Sequence, residues 1–301
     1  MKRIDLTGQV AVVTGSGAGV GRPHALALAA RGARLVVNDL GSEAAEGVCA
    51  EIRERGGQAI SNSANVAEFS EVQAMAAAAM EQWGRVDILV NNAGMVRDRT
   101  FAKMDLADFR QVVEVHLLGA VNCTKAVWDG MRERNYGRVV FTTSSSGLYG
   151  NFGQANYSAA KMALVGLMQT LSLEGERYDI RVNCLAPSAA TAMTNGLYPA
   201  EALAGLGPDM VSPAILALVA ADAPTRRILL AGAGCFEQAN ITMTKGICLG
   251  AGDDVAGELL VRLHEVADRG GEYVPASGEF QYRYEVARAL DASPALMKVN
   301  Q

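Results

Sequence analysis

Val10-Ala11-Val12-Val13-Thr14-Gly15-Ser16-Gly17-Ala18-Gly19-Val20-Gly21 decides the fold. A short β-branched run ends in a Gly-x-x-x-Gly-x-Gly turn, and a segment of helical period follows. The same alternation continues along the chain: Arg34 to Asn38, a helix to about Arg55, Ala59 to Ser61, an Ala-rich helix from Glu68 to Trp83, Val86 to Asn91, and then Arg138 to Thr143 and Ile180 to Leu185. Strands this apolar on both faces need helices above and below them. The pattern predicts an α/β fold, a Rossmann-type doubly wound parallel sheet in one domain over residues 1–250, whose last strand is Arg227 to Leu230. Asp105 and Asp108 have capping-box spacing before an apolar pattern that runs to about Arg134, and Ser212-Pro213 reads as an N-cap followed by a proline at the first helical position. Residues 251–301 read as a C-terminal extension: a helix near Asp254 to Asp268, a loop containing Gly and Pro, and an amphipathic stretch from Tyr282. The expectation is that this extension docks on the core or across a homodimer or homotetramer interface.

Bulk properties bound the function. The 301 residues are 50% hydrophobic and 20% charged, which is enough to bury a substantial core. A net charge of -5 and a pI near 5.4, with no Lys/Arg cluster, give no footprint for nucleic acid. Five scattered cysteines without a C-x-x-C pair argue against a disulfide framework and a zinc site, and three scattered histidines suggest no metal. No apolar run reaches the length of a membrane span. The start, Met1-Lys2-Arg3-Ile4-Asp5, marks no export signal, and Val299-Asn300-Gln301 is no peroxisomal address, so a cytoplasmic protein with reduced thiols is expected.

The glycine turn between strand and helix suits a dinucleotide. Gly15, Gly19 and the adjoining Val20 sit where backbone must turn tightly, approach a pyrophosphate and offer helix N-terminal N–H groups to negative charge. A turn that only packs helix on sheet is the alternative. Asp39, at the end of the second strand, has a carboxylate placed for adenosine ribose hydroxyls, and the same charge repels a 2′-phosphate. Leu40, Gly41 and Ser42 supply no basic residue, so NAD is favoured over NADP. Asp39 can also be a plain turn former. Asn92, Ala93 and Gly94 follow the fourth strand at the carboxyl edge of the sheet, where open α/β proteins bind ligands, although Asn and Gly there also serve turns.

Tyr157 and Lys161 lie one helical turn apart, about 6 Å along the axis of a helix. A tyrosine titrates near pH 10 in isolation, and a neighbouring ammonium favours its phenolate, which makes it a usable acid or base near neutrality. Ser144, at the end of the preceding strand, can bond the same substrate oxygen and stabilise developing alkoxide. A Tyr-x-x-x-Lys spacing alone is common in helices; its place after a serine-ended strand and a dinucleotide turn gives it meaning.

In this order and spacing, Thr14-Gly15 with Gly19 and Gly21, Asn91-Asn92-Ala93-Gly94, Ser144, and Tyr157 with Lys161 resemble the short-chain dehydrogenase/reductase family over nearly all of residues 6–250. The resemblance implies that Tyr157 exchanges the hydroxyl proton, Ser144 orients the substrate oxygen, and Lys161 also holds the nicotinamide ribose. It places Pro187 and Thr191 at the nicotinamide carboxamide, with Ser188 where glycine is usual. It puts Asn65, next to Val66, where the family often has an aspartate bonded to adenine. His116 stands where the family often has the asparagine of a proton relay; histidine can relay protons itself or be a satisfied helix residue facing the sheet. His24 and His264 have no evident partners.

Longer stretches, including Val37 to Gly41, Arg97-Asp98-Arg99, Val115-His116-Leu117 and Tyr149 to Tyr157, look like the (3R)-hydroxyacyl-CoA dehydrogenase part of multifunctional β-oxidation enzymes. Members of that group also oxidise hydroxysteroids. The resemblance implies a small-molecule substrate, 3-hydroxyacyl-CoA going to 3-oxoacyl-CoA, with Arg97 and Phe152 as substrate contacts. Arg97, Arg99 and Lys103 can serve CoA phosphates or only make salt bridges. Ala189 to Leu206 is apolar enough to lid a lipophilic substrate. With residues 251–301 alone left over, a stand-alone dehydrogenase is expected. The competing readings are a bulky-alcohol or hydroxysteroid dehydrogenase that needs no CoA, and a NAD-binding regulator without catalysis.

Overall fold

The structure, a computed structural model, describes residues 4–194 and 199–290. They divide into two compact units, one ending at Ala239 and one beginning at Asn240.

In the first unit the elements run β1 (Val10–Thr14), α1 (Gly21–Ala29), β2 (Arg34–Asn38), α2 (Ser42–Glu54), β3 (Ala59–Asn62), α3 (Phe69–Trp83), β4 (Ile88–Asn91) and α4 (Leu106–Val113). A π-helical turn, Glu114–Leu118, leads into α5 (Gly119–Arg134), followed by β5 (Gly137–Thr142), α6 (Ser145–Tyr149), α7 (Ala155–Gly175), β6 (Ile180–Ser188), α8 (Ala200–Gly205), α9 (Ser212–Val219), β7 (Ile228–Gly232) and β8 (Cys235–Ala239). The sheet order is β3-β2-β1-β4-β5-β6-β7-β8; the first seven strands are parallel and β8 is antiparallel. The connections diverge between β1 and β4, which opens a crevice at the carboxyl ends of these strands.

Alternate strand residues feed two cores. Ala11, Val13, Leu35, Val37, Ile88 and Val90 pack with α1, α2 and α9, while Val10, Val12, Val36, Leu89, Val139 and Phe141 pack with α3, α5 and α7. This two-sided burial is why the strand runs are continuously apolar. It also leaves the loops at strand ends as the places where polar chemistry can gather.

The chain departs from its sequence pattern at several helix starts. Asp105 caps α4 through the Ala107 N–H at 2.8 Å, but Asp108 pairs with Arg97 at 3.6 Å. Ser212 is not an N-cap: it lies inside α9, and its Oγ is 3.0 Å from Nδ1 of the fully buried His24. This contact gives His24 the partner that the sequence did not reveal, and it ties α1 to α9. The sheet also extends beyond the strand read from Arg227 to Leu230, because β8 folds back on β7 across the tight turn at Ala233 and Gly234, both with positive φ.

The second unit contains α10 (Val255–Val261), α11 (Leu263–Val266) and α12 (Glu279–Ala289). The single helix read near Asp254 to Asp268 is thus two short ones, the first capped by Asp254 through the Gly257 N–H. Met243 and Tyr273 exchange backbone hydrogen bonds, and Phe280 stacks on Tyr284 while Tyr273 meets the pair edge-on and tilted, forming a small aromatic cluster. The carboxyl-terminal triplet Val299-Asn300-Gln301 and part of the lid segment, residues 195–198, lie outside the described residues.

Arg138 is the largest fully buried side chain. Its Nε donates to Ala220 O, Nη1 to the carbonyls of Gly137 and Asp179, and Nη2 to Ala221 O and the Asp179 carboxylate. The planar donor fork suits this set, and no lysine reproduces it. Arg138→Ala removes all five of these hydrogen bonds from a buried site, while Ala220 O keeps the Ala223 N–H and the Asp179 carboxylate keeps Arg181. The expected loss is about 3 kcal/mol of stability, read as a lower urea midpoint with unchanged m; an unshifted midpoint would contradict the role given to this side chain.

Candidate active site

The chain segments at the carboxyl ends of five strands surround a cavity of about 320 Å³. It is lined by Gly15, Ala18, Gly19 and Val20 after β1, Asp39 after β2, Asn92, Gly94 and Val96 after β4, and Thr142 and Ser144 to Ser146 after β5. Asn151, Gln154, Tyr157 and Lys161 come from α7 and the loop before it, His116 from the π-helical turn, and Pro187, Ala189 and Thr191 to Thr194 from the end of β6 onward.

The glycine turn is held by close approach. Gly15 has φ +60°, and a Cβ built there would meet Ala93 Cα at 2.7 Å; one at Gly21 would meet Gly15 O at 2.2 Å. Asn92 fastens the turn to β4, its Nδ2 donating to Thr14 O and Gly15 O at 3.0 and 2.9 Å, while Thr14 Oγ1 accepts from the N–H groups of Asn92 and Ala93. Gly19, at φ +56°, has only Thr191 Cγ2 near its missing Cβ, at 3.9 Å, so this stretch of backbone is bare toward the cavity. The Asp39 carboxylate accepts from Gly17 N–H at 2.9 Å and from Gly41 N–H at 3.1 Å. Asp39 thus forms its own turn and also lines the cavity. A phosphate-bearing dinucleotide fits this cradle, because the backbone at Gly19 is bare toward it and Gly15 lies too close to Ala93 to carry a side chain.

At the other end of the cavity, Tyr157 is flanked on two sides. Lys161 Nζ lies 5.5 Å from its ring centroid, and the His116 ring meets it edge-on at 5.1 Å and 90°. Lys161 is 3% exposed and donates from Nζ to Thr142 O, while its own carbonyl accepts from Thr143 Oγ1 at 2.7 Å. Burial pulls its ammonium down to about 7. Gly147 permits this contact of α6 with α7, since a Cβ there would lie 2.8 Å from Lys161 Cβ. Ser144 caps α6, its Oγ accepting from Ser146 N–H at 3.2 Å, which leaves the hydroxyl proton to donate elsewhere.

His116 is held by Met95: Nε2 lies 2.7 Å from Met95 O and 3.1 Å from Met95 N, whereas the buried Nδ1 has no partner among the described residues. Its imidazole is pushed down to about 3 by burial first and by the Lys161 charge second, against the hydrogen bond to Met95. Gly94 makes the space, because a Cβ there would stand 2.2 Å from His116 Cε1.

Other sequence candidates lie away from the cavity lining. The Arg97 guanidinium, half exposed, pairs with Asp108, and Phe152 is 89% exposed. Asn65 caps its own turn, its Oδ1 accepting from Ala67 N–H, and the buried Val66 gives its carbonyl to Asn122. Ala93 acts through its backbone. Conversely, Asn151 and Gln154 reach the cavity without having been singled out; the signal available was their place just ahead of Tyr157, where the start of a helix must satisfy its donors. Among the described residues, no group of three or more His, Cys, Asp or Glu is arranged to hold a metal, and no helix is long and apolar enough to cross a membrane.

Residues 9–202 match the family model for short chain dehydrogenases. The chain is 38% identical over 322 residues to the peroxisomal multifunctional enzyme type 2 of Drosophila melanogaster, an alignment that takes in 94% of this chain and 53% of the fly enzyme. The solved full-length structure of that enzyme superposes with a TM-score of 0.80 at 32% identity, covering 96% of this chain and 50% of the other. This chain thus spans about half the length of that relative. A 7α-hydroxysteroid dehydrogenase solved with NADH and 7-oxo glycochenodeoxycholic acid is 30% identical, with a TM-score of 0.72 over 76% of this chain and 95% of its own. With the matching family model running from the glycine turn past Lys161 and Thr191, the chain belongs to the short-chain dehydrogenase family.

Proposed function

We propose that the protein is an NAD-dependent dehydrogenase that oxidises a secondary alcohol to a ketone, with a (3R)-3-hydroxyacyl-CoA as substrate and the 3-oxoacyl-CoA as product. The observation that carries the reading is that Ser144, Tyr157 and Lys161 share one cavity with the bare backbone of the glycine turn and the Asp39 carboxylate. Similarity to the fly multifunctional enzyme supports the substrate class.

The dinucleotide supplies the hydride acceptor when bound. Gly15, Gly19 and Val20 would hold its phosphates by backbone approach, Asp39 would receive the adenosine ribose hydroxyls, and Pro187 and Thr191 would hold the nicotinamide carboxamide. Tyr157 takes the proton from the substrate hydroxyl. Ser144, whose lone pair is occupied by Ser146 N–H, directs its proton to the same oxygen. To accept that proton Tyr157 stands beforehand as a phenolate; Lys161 opposes this charge, and the phenolate in turn favours an ammonium which burial alone disfavours. His116 packs edge-on against the phenol ring and steadies it, with its Nε2 engaged by Met95.

A second reading, a hydroxysteroid dehydrogenase that needs no CoA, is favoured by the similarity to the 7α-hydroxysteroid enzyme. Following nicotinamide reduction with a 3-hydroxyacyl-CoA, its free acid and a hydroxysteroid separates the two readings.

Tyr157→Phe should lower kcat by about 10³-fold and leave NAD affinity, measured by calorimetry, nearly intact; full turnover would overturn the assignment. Asp39→Ser removes the charge that opposes a 2′-phosphate and should raise the NADP to NAD preference by at least about tenfold. An unchanged ratio of kcat/KM values would remove Asp39 from cofactor choice. Because burial holds His116 near 3, below the ordinary value for histidine, its ring should stay neutral from pH 5 to 9. Its ring-nitrogen NMR shifts should therefore be flat over that range, and a titration midpoint inside it would contradict the packed arrangement.

A further inference from the structure

Asn151 and Gln154 line the cavity beside Tyr157, and a chain of hydrogen bonds sets the direction of both amides. It begins at Asp98, whose Oδ2 accepts from Gln154 Nε2 at 2.8 Å. A carboxylate only accepts, so the Gln154 amide must turn its nitrogen toward Asp98 and its oxygen the other way. Gln154 Oε1 then accepts from Asn151 Nδ2 at 3.0 Å. Gln154 is 5% exposed and holds both bonds from a buried position, while Asp98 and Asn151 themselves are exposed. Backbone bonds hold the frame: Gln154 N–H donates to Asn151 O, and Arg99 N–H donates to Gly153 O at 2.9 Å. The outcome is an Asn151 amide whose nitrogen is fixed toward Gln154, with a second N–H left to give.

We infer that Asn151 is a specificity-determining residue whose remaining amide N–H, oriented by Asp98 through Gln154, donates to the thioester carbonyl of a 3-hydroxyacyl substrate. This rests on the substrate reading above. A 3-hydroxyacyl thioester carries an acceptor oxygen two carbons from the carbinol that Tyr157 and Ser144 engage, so a donor at the cavity wall next to those residues matches its chemistry. Asp98 and Gln154 are positioning residues here: they fix which end of the Asn151 amide faces the ligand.

The test compares two substrates that differ only in that carbonyl, (3R)-3-hydroxybutyryl-CoA and the thioether analogue (3R)-3-hydroxybutyl-CoA, with the full chain and NAD. The unaltered enzyme should prefer the thioester by about tenfold in kcat/KM, the order of one neutral hydrogen bond. Asn151→Ala should erase most of that preference. Asp98→Asn, which frees the Gln154 amide to adopt either direction, should narrow it as well. The ratio is internal to each preparation, so partial misfolding does not move it, and a purely structural role for the three residues leaves it unchanged. Turnover of the thioester with equal losses on both substrates in the variants overturns this inference alone. No turnover of the thioester by the unaltered enzyme overturns the substrate reading and this inference with it.

Discussion

Lys161 carries an ammonium into a region that offers it little more than the Thr142 carbonyl, and much of the site is arranged around that fact. Burying such a charge costs on the order of several kcal/mol unless it is compensated. The compensation is local: the end of β5 turns its carbonyl to Nζ, Thr143 grips the lysine backbone, and Gly147 yields the volume that a side chain would need. The charge thereby becomes conditional on what stands next to it. A phenol that can become a phenolate is the partner that makes the buried cation worth holding, and the two groups stabilise each other's ionised forms.

The cofactor end of the cavity obeys a steric constraint instead. Thr14, Gly15, Asn92 and Ala93 are packed so closely across the β1–β4 divide that backbone supplies nearly all the contact surface. Asn92 is spent on carbonyls of the glycine turn and so serves the shape of the cradle. One end of the cavity is therefore shaped by closely packed backbone, and the other by the packing of Lys161 and His116 around Tyr157.

Much of this was legible in the sequence because the strands are buried on both faces, so that Arg34 to Asn38 or Val10 to Val13 stand out from any helical period. The misreadings share a cause. β8 carries the exposed residues Cys235 to Gln238, which have no apolar alternation to betray a strand, and Ser212 looked like a cap because its partner, His24, is distant in sequence. Among the site residues, the glycine turn, Asp39, Ser144, Tyr157 and Lys161 could be read from residue type and order. Arg97 and Phe152 were read from resemblance, and the ion pair of one and the exposure of the other are properties of the folded chain. The roles of Asn151 and Gln154 depend on Asp98, which only the fold brings near.

The π-helical turn at Glu114–Leu118 has a consequence for the helix that follows it. A wider turn delays the rotation of the chain, so α5 starts out of phase with α4 by part of a turn relative to an uninterrupted helix. His116 can thus face Tyr157 while Cys123, Val127 and Met131, farther along the same rod, pack into the core beside the sheet. The two demands are decoupled by a single local irregularity.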